Sequence, residues 1–264
     1  MGSMKRRLKA GELLLGTMIS EVRNPNVAHL LARAGFEFLI VDNEHGTYSS
    51  ETVSAIVAAA RGAEIEIIVR IPEIRREAIL KPLDSGAAGL LVPQVDTVEQ
   101  AREVVRHAKY PPEGRRGAAL RRAHSRYDHV DAAEYLARAN EDTLIAVQAE
   151  TPEAIDNAEA IAAVAGIDCV FVGPFDLSVA LGIPGQLQHP RQVAAIETAV
   201  KACREQGKAA GILMFEAEAL ADWIARGMRF VAYSSDVSLL ADAAAAAVRE
   251  LKSVAAEAPQ RAKP

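Results

Sequence analysis

The chain has 264 residues, of which 50% are hydrophobic and 25% charged, and its formal net charge is −5. This composition is typical of a soluble globular enzyme, and the charge gives no reason to expect nucleic acid or a membrane as partner. Two cysteines are too few to indicate a disulfide framework or a thiolate zinc site. No apolar run approaches the roughly 18 residues that cross a bilayer, and no secretory signal is visible, so a cytoplasmic location is expected.

Eight short, apolar, β-branched runs recur along the chain. They cover residues 13–19, 36–42, 65–71, 89–95, 144–150, 168–173, 209–215 and 229–234. Continuous apolar runs of this length indicate strands that are buried on both faces, as in parallel sheets.

Amphipathic helical patterns separate these runs. They cover residues 26–34, 50–61, 76–85, 98–109, 152–164, 191–206, 216–226 and 237–252, and several end at a glycine, namely Gly35, Gly86, Gly207 and Gly227. Strict alternation predicts a single α/β domain, a (β/α)8 TIM barrel over residues 5–253. A doubly wound open sheet is the alternative, but no GxGxxG turn follows the first run.

Three segments fall outside this alternation. Residues 1–4 resemble a remnant of cloning, with Met4 as the native start. Residues 254–264 are predicted to form a flexible tail. Residues 110–129 form one long irregular segment, and such loops in compact domains often have a functional role or form an interface.

Two carboxylates, Glu150 and Asp176, follow neighbouring predicted strands. Barrel active sites lie at the C-terminal ends of the strands, so the fold would bring these groups to one mouth. They would repel each other there, and a divalent cation would relieve the repulsion. Oxygen ligands favour Mg²⁺, Mn²⁺ or Co²⁺ over a closed zinc site. The alternatives are a solvated or salt-bridged pair, or an acid/base pair for sugar hydrolysis.

Arg70 and His45 also lie at predicted strand ends. Arg70 interrupts an apolar run, so it must either form an ion pair with Asp42 or Glu44 or stabilise a substrate oxyanion. His45 follows Asp42 by three residues, and Asp42 could orient its imidazole and raise its basicity. The alternative is an ordinary loop histidine. Of the other five histidines, His124 in the long loop is the best candidate for a functional role.

Seven short motifs occur in an order and spacing that resemble a known family. They are AGFEFLIVDNEHG (34–46), VRIP (69–72), LVPQV (91–95), YPPEGRRG (110–117), VQAET (147–151), FVGPFDLS (171–178) and GKAAGIL (207–213). Over residues 8–252 the chain resembles the HpcH/HpaI class II pyruvate aldolases.

The resemblance implies a TIM barrel with a swapped C-terminal helix, commonly assembled as a hexamer, a trimer of dimers. It also implies a divalent metal ion held by Glu150 and Asp176, with His45, Asp42 and Arg70 as catalytic residues. The residues implied to contact substrate are Gln148, Gly173, Pro174, Phe175 and Leu213, with Glu44 and Asp84 as supporting residues. The backbone amides of Phe175 and Asp176 would bind the substrate carboxylate, as helix N-termini do.

The implied reaction is reversible cleavage of a 4-hydroxy-2-oxo acid into pyruvate, or a close 2-oxo acid, and an aldehyde through a metal-stabilised enolate. No lysine lies within the eight runs, which favours a metal over an imine route. Phe175 and the segment after Gly117 depart from the family pattern and leave the aldehyde open. One alternative is an oxaloacetate decarboxylase, similar to macrophomate synthase, or a CoA-ester lyase. Another is a non-catalytic oligomeric barrel that binds metabolites.

Overall fold

The computed structural model describes residues 3–257 and contains a closed barrel of eight parallel strands. The strands are β1 (Leu14–Ile19), β2 (Phe38–Asp42), β3 (Glu66–Arg70), β4 (Gly89–Val92), β5 (Leu144–Ala149), β6 (Cys169–Val172), β7 (Ala209–Met214) and β8 (Phe230–Ser235). Each strand pairs with the next, and β8 pairs with β1. All eight predicted runs coincide with strands. Closure of the sheet excludes the doubly wound alternative and confirms the TIM barrel.

Helices surround the barrel. They are α1 (Met4–Lys9), α2 (Val27–Ala34), α3 (Ser50–Ala63), α4 (Arg76–Ser85), α5 (Val98–Ala108), α6 (Ala132–Asp142), α7 (Pro152–Asp156), α8 (Ala158–Ala162), α9 (Pro174–Ala180), α10 (Pro190–Glu205), α11 (Ala217–Ala225) and α12 (Asp236–Glu257). Helices α1 and α6 were not predicted. The predicted helix over 152–164 is divided at Asn157, whose side chain donates instead to the carbonyl of Asp96 at 2.8 Å.

Helical structure extends beyond both predicted domain boundaries, residues 5 and 253. Met4 begins α1 and is buried, so it packs with the barrel and does not precede it. Helix α12 continues to Glu257, into the segment predicted to be flexible. The rest of the predicted remnant and tail, residues 1–2 and 258–264, lies outside the described residues.

Alternation along each strand divides the apolar side chains into two layers. Phe38, Ile40, Ile68 and Ala146 belong to the cluster inside the barrel, while their sequence neighbours pack against the helices. Each large aliphatic or aromatic side chain buried in this way contributes roughly 1.5–3 kcal/mol. The period of two continues to the strand ends. The side chains two positions after Ile40, Ile68 and Ala146 therefore face the barrel axis at its C-terminal mouth.

Helix α12 is the one element that leaves much of its length uncovered in the described chain. Its first turn packs on β1 and β8, but residues 240–256 are exposed. The exposed residues include the large apolar side chains Leu240, Val248, Leu251 and Val254. No helix within residues 3–257 is both long enough and apolar enough to cross a membrane.

Lys109, buried after the end of α5, provides a pH-dependent stability prediction. Its Nζ donates to the carbonyl oxygens of Asn140 (2.5 Å) and Thr143 (2.8 Å). Burial, reinforced by the charge of Lys5, lowers the pKa of Lys109 to about 7. Between that value and the ordinary 10.5, the unfolded chain binds more protons, so folding stability due to Lys109 rises with pH.

We expect the stability difference between wild type and Lys109→Met to shift in favour of wild type by about 3 kcal/mol between pH 7 and pH 10. Urea unfolding at matched pH values measures this, and exposed Lys81→Met is the control. A pH-independent difference would mean that Lys109 keeps its ordinary pKa.

Candidate active site

Asp42 and Arg70 form a buried ion pair at the mouth of the barrel. They occupy paired positions on β2 and β3, and alternation directs both side chains toward the axis. Arg70 Nε donates to Asp42 Oδ1 and Nη2 donates to Oδ2, both at 2.9 Å. Burial raises the pKa of Asp42, but the hydrogen bonds and charge of Arg70 outweigh it, so the pKa lies below its ordinary value. Arg70 therefore forms an ion pair with Asp42, which was one of the two roles predicted for it.

Glu44 lies beside the imidazole of His45, a contact that was not predicted from the sequence. The carboxylate of Asp42 accepts from Arg70 and from the backbone amides of Glu44 (3.0 Å) and His45 (3.4 Å). The ring Nε2 of His45 instead lies 4.0 Å from Glu44 Oε2. The carboxylate of Asp42 binds Arg70 and makes no hydrogen bond to this ring in the structure, so the orienting role of Asp42 stays a prediction. The His45 side chain is 69% exposed and reaches into the mouth.

Glu44 also contacts Arg70. Its Oε2 lies 3.0 Å from Arg70 Nη1, although no N–H points along this contact and the oxygen has no hydrogen-bond partner among the described residues. Burial raises the pKa of Glu44, and the charge of Arg70 opposes this rise. The arginine therefore serves two carboxylates, with hydrogen bonds to Asp42 and an electrostatic contact to Glu44.

Glu150 follows β5 and is only 4% exposed. Its Oε1 accepts from the backbone amide of Gln94 at 2.9 Å, and its Oε2 accepts from Nε2 of Gln148. Burial raises the pKa of Glu150 to about 7, and the charges of Glu44 and Asp176 act in the same direction. A buried carboxylate surrounded by other carboxylates favours any process that brings a positive charge beside it.

Gln148 and Gly173 complete the surroundings of this carboxylate. The Oε1 of Gln148 is buried and has no hydrogen-bond partner among the described residues, so it is available as an acceptor or a ligand. A Cβ atom on Gly173 would lie 2.5 Å from Glu150 Oε2 and 2.7 Å from Gln148 Nε2. Glycine at this position therefore leaves the space that both polar groups occupy.

Asp176 lies in the first turn of α9, immediately after β6. It is exposed, and its charge raises the pKa of both Glu150 and Glu44, so all three carboxylates act on one another. Together with Asp42, they give the mouth an excess of three negative charges over Arg70 when all are ionised. No group of three or more His, Cys, Asp or Glu side chains in residues 3–257 converges as a metal site. A cation held by two carboxylates would keep positions for water and substrate oxygens.

The remaining residues predicted to contact substrate differ in how deeply they are buried. Pro174 and Phe175 begin α9, with Pro174 buried and Phe175 exposed. Leu213 on β7 is partly buried against the cluster inside the barrel. The fold thus brings every predicted metal, catalytic and substrate residue to the C-terminal mouth.

Asp84 is the exception, because it lies at the opposite end of the barrel. Helix α4 returns from the end of β3 to the start of β4, and Asp84 is its penultimate residue. Its Oδ1 accepts from Arg116 Nη2 at 2.8 Å. His124 lies in the same region, with Nδ1 2.5 Å from the hydroxyl of Tyr135. Within this chain Asp84 and His124 lie away from the mouth, so the supporting role of Asp84 and a functional role of His124 stay predictions.

Two residues that shape the mouth were not assigned from the sequence. Gln94 adopts a left-handed conformation, with φ of 52°, while its amide binds Glu150. Asp236 accepts from the backbone amides of Ser20, Glu21 and Val22, and so fixes the loop after β1. Gln94 lies within the predicted strand 89–95 and Asp236 follows the predicted strand 229–234. Neither the backbone angle of Gln94 nor the long-range contacts of Asp236 have a local sequence signal.

Substituting Gly173 tests the geometry around Glu150. We expect Gly173→Ala to displace the Glu150 carboxylate and weaken divalent-cation binding by roughly 10–100-fold, as for other substitutions next to a ligand. Titration with Mn²⁺ measures this. Gly62→Ala on α3, where the nearest atom to the new Cβ would be 3.6 Å away, is the control. Wild-type affinity in Gly173→Ala would contradict the predicted arrangement.

Comparison with known proteins identifies the family and its named relatives. Residues 17–243 match the family described as HpcH/HpaI aldolase/citrate lyase. The chain is 41% identical to the 4-hydroxy-2-oxo-heptane-1,7-dioate aldolase of Escherichia coli, covering 92% of each chain. It is 38% identical to the hydroxypyruvate/pyruvate aldolase of Roseobacter denitrificans, covering 91% of this chain and 93% of the relative.

The fold of the chain also matches a solved structure. The crystal structure of the HpcH/HpaI aldolase from Desulfitobacterium hafniense superimposes with a TM-score of 0.92 at 34% identity, covering 100% of both chains. Aldolases are carbon–carbon lyases, so these relatives confirm the predicted enzyme class. The chain belongs to the HpcH/HpaI aldolase/citrate lyase family.

Proposed function

We propose that the protein is a divalent-metal-dependent aldolase that reversibly cleaves 4-hydroxy-2-oxo acids into pyruvate, or a close 2-oxo acid, and an aldehyde. The observation that carries the proposal is the buried Glu150, surrounded by Asp176 and Glu44 and facing the Asp42–Arg70 pair across one barrel mouth. This arrangement combines a site for a cation with a fixed positive group for a substrate anion.

The residues fit a bound Mg²⁺, Mn²⁺ or Co²⁺ ion. Glu150 and Asp176 would hold it, since both supply hard oxygen ligands. Three features support this assignment: the negative charge in excess, the unpartnered Oε1 of Gln148 and the space that Gly173 leaves beside Glu150. When bound, such an ion acts as a Lewis acid on the keto oxygen of a 2-oxo acid.

Arg70 would stabilise the negative charge that develops on the substrate oxygen. Its guanidinium has five N–H groups. Asp42 takes Nε and one hydrogen of Nη2, Met18 Sδ lies 3.9 Å from Nη2, and Glu44 lies beside Nη1. At least one N–H of Nη1 remains for a substrate oxygen. Asp42 acts as a positioning residue, because it holds the guanidinium in place.

His45 would carry the proton. In the cleavage direction it takes the proton of the C4 hydroxyl, the C3–C4 bond breaks, an aldehyde leaves, and the electron pair becomes the enolate of pyruvate. Protonation of the enolate carbon then gives pyruvate. The exposed ring of His45 lies at the mouth, and its Nε2 is 4.0 Å from Oε2 of Glu44.

Proton exchange at the methyl group of pyruvate in D2O tests the proposal, because exchange requires enolisation but no aldehyde. We expect exchange that depends on Mg²⁺, Mn²⁺ or Co²⁺ and stops with a chelator. Exchange that survives full metal removal would refute the metal-dependent route. Turnover of oxaloacetate that exceeds aldol cleavage would favour the decarboxylase alternative. Absence of exchange and cleavage under all conditions would favour a non-catalytic barrel.

The exposed part of α12 supports assembly into a homo-oligomer with a swapped C-terminal helix, the hexamer implied by the resemblance. Leu15 of β1, on the outside of the barrel, is also exposed, because no helix of this chain covers it in the described residues. A second copy of α12 would cover such a surface. Light scattering tests this: Leu240→Asp with Leu251→Asp should lower the particle mass, and an unchanged mass would contradict the exchange of α12.

A further inference from the structure

Asp236, where β8 ends and α12 begins, is a buried carboxylate that the proposed reaction does not use. It is 6% exposed. Its Oδ1 accepts from the backbone amide of Ser20 at 3.0 Å, and its Oδ2 accepts from those of Glu21 (3.0 Å) and Val22 (2.7 Å). Hydrogen bonds to a charged carboxylate are stronger than neutral ones. Three successive amides bound to one carboxylate fix the loop after β1, residues 20–26, which we call the β1 loop.

The β1 loop in turn supports the loop after β2, which carries His45. The hydroxyl of the buried Tyr48 donates to the carbonyl oxygen of Val22 at 3.2 Å. Burial, reinforced by the charge of Asp236, raises the pKa of Tyr48, so this hydroxyl stays protonated and donates at neutral pH. Val22 therefore binds Asp236 through its amide and Tyr48 through its carbonyl, and it links the two loops.

Two further contacts join the same loops next to His45. Arg23 Nη2 donates to Thr47 Oγ1 at 2.7 Å. A Cβ atom on Gly46 would lie 3.2 Å from the carbonyl oxygen of Ser20, so the backbones of the two loops approach closely at this point. All three residues that directly follow His45 therefore contact the β1 loop.

The ring of His45 depends on these contacts for its position. Its side chain is 69% exposed, so packing does not hold it in place. Its backbone is held on one side by Asp42, which accepts from the His45 amide at 3.4 Å, and on the other side by the β1 loop. Loops move easily unless other groups hold them. Asp236 is therefore the far end of a chain of contacts that runs from β8 through the β1 loop to His45.

We propose that Asp236 is a positioning residue for His45, which acts through the β1 loop and holds the imidazole where it can take the proton of the C4 hydroxyl. The inference rests on the proposed function, since it concerns the proton transfer of that reaction. A displacement of about 1 Å at a reacting group can lower the rate on the order of 10²-fold. Loss of the Asp236 contacts should therefore slow the reaction, while Glu150 and Asp176, which follow other strands, keep their affinity for a cation.

Asp236→Asn tests the proposal, because its amide nitrogen cannot accept and in either orientation leaves at least one amide of the β1 loop without a partner. We expect kcat for cleavage of 4-hydroxy-2-oxopentanoate, the adduct of pyruvate and acetaldehyde, to fall by roughly 10–100-fold. The affinity for Mn²⁺ and the particle mass should stay as in wild type. A parallel loss of Mn²⁺ affinity or a fall in particle mass would overturn the proposal in favour of a general structural role.

Asp168→Asn is the matched control. Its Oδ2 also accepts from a distant backbone amide, that of Ile145 at 2.9 Å, but Asp168 precedes β6 and so lies at the opposite end of the barrel. Asp168→Asn should keep the wild-type kcat. An equal loss of kcat in this control would mean that removal of any such carboxylate slows the reaction, and would also overturn the proposal.

A double-mutant cycle with His45→Ala separates positioning of His45 from other effects on the mouth. Residual cleavage in His45→Ala is measurable, because the cation and Arg70 remain. If Asp236 acts through His45, Asp236→Asn should have no further effect on this residual kcat. The same fractional loss of kcat with and without His45 would overturn the proposal. Tyr48→Phe removes one hydroxyl from the same chain of contacts and should give the same pattern. It decides the matter if Asp236→Asn does not fold, since a wild-type kcat in Tyr48→Phe would then overturn the proposal.

Failure of this inference can be separated from failure of the proposed function. If wild type shows metal-dependent exchange of pyruvate protons, His45→Ala cleaves slowly and Asp236→Asn keeps the wild-type kcat, only the positioning role is refuted. If wild type shows neither exchange nor cleavage, both fail.

Discussion

Glu150→Gln should abolish tight binding of divalent cations and lower the rate of pyruvate proton exchange by at least about 10³-fold, because a Lewis acid supplies several kcal/mol of charge stabilisation. The substitution keeps the shape of the side chain and an oxygen that can accept from the amide of Gln94. It removes the charge and replaces the oxygen that accepts from Gln148 with an amide donor, from which the unpartnered Oε1 of Gln148 can accept if the Gln148 amide turns over. The expected loss therefore reports on cation binding and not on packing.

Although Glu150→Gln should lose activity, its folding stability without a cation should not fall. Burial raises the pKa of Glu150 to about 7, so the fold is destabilised when this side chain ionises without a cation. In the presence of a chelator at pH 8, Glu150→Gln should be at least as stable as wild type in urea. Addition of Mn²⁺ should stabilise wild type and leave the variant unchanged, since binding to the folded state alone raises stability.

Exposed Glu73→Gln, at the loop after β3, is the matched control for charge removal near the mouth. Mn²⁺ titration and exchange rates for the control should match wild type. If Glu150→Gln bound Mn²⁺ with wild-type affinity, Glu150 would not be a ligand, and the solvated or ion-paired interpretation of the carboxylate pair would stand.

Arg70→Ala should have the second large effect, on stability and on chemistry together. Asp42 is 2% exposed and would lose both hydrogen bonds from the guanidinium. Breaking a buried ion pair by removing one partner costs about 3–5 kcal/mol. Loss of the group that stabilises the enolate oxygen should also slow pyruvate proton exchange by roughly 10²–10³-fold.

A double substitution separates these two effects. Asp42→Asn with Arg70→Met removes both charges, so it should recover much of the lost stability while exchange stays slow. Exchange should be measured below the unfolding temperature of each variant. Arg75→Ala, whose partner Glu73 is exposed, should be neutral in both assays. Wild-type exchange in a folded Arg70→Ala protein would contradict its role at the oxyanion.

The strands and most helices were predictable from the sequence, because burial on both faces produces apolar runs and burial on one face produces a helical period. The exceptions have local causes. Helix α6 follows the irregular segment 110–129, and its inward side chains include Tyr135 and Asn140, which do not form an apolar stripe. Helices α7 and α8 divide at Asn157, whose side chain donates to the carbonyl of Asp96, a residue distant in sequence.

The residues that gather at the mouth were also predictable, since they lie at or just after the ends of strands and barrel topology brings strand ends together. Tertiary structure alone decided how they are connected. The fold pairs Asp42 with Arg70 and leaves Glu44 nearest to His45, because β2 and β3 align residues 42 and 70. It also separates Asp84 from the mouth, because α4 returns to the opposite end of the barrel. Sequence order determines which residues reach a strand end, whereas register and helix direction determine which of them touch.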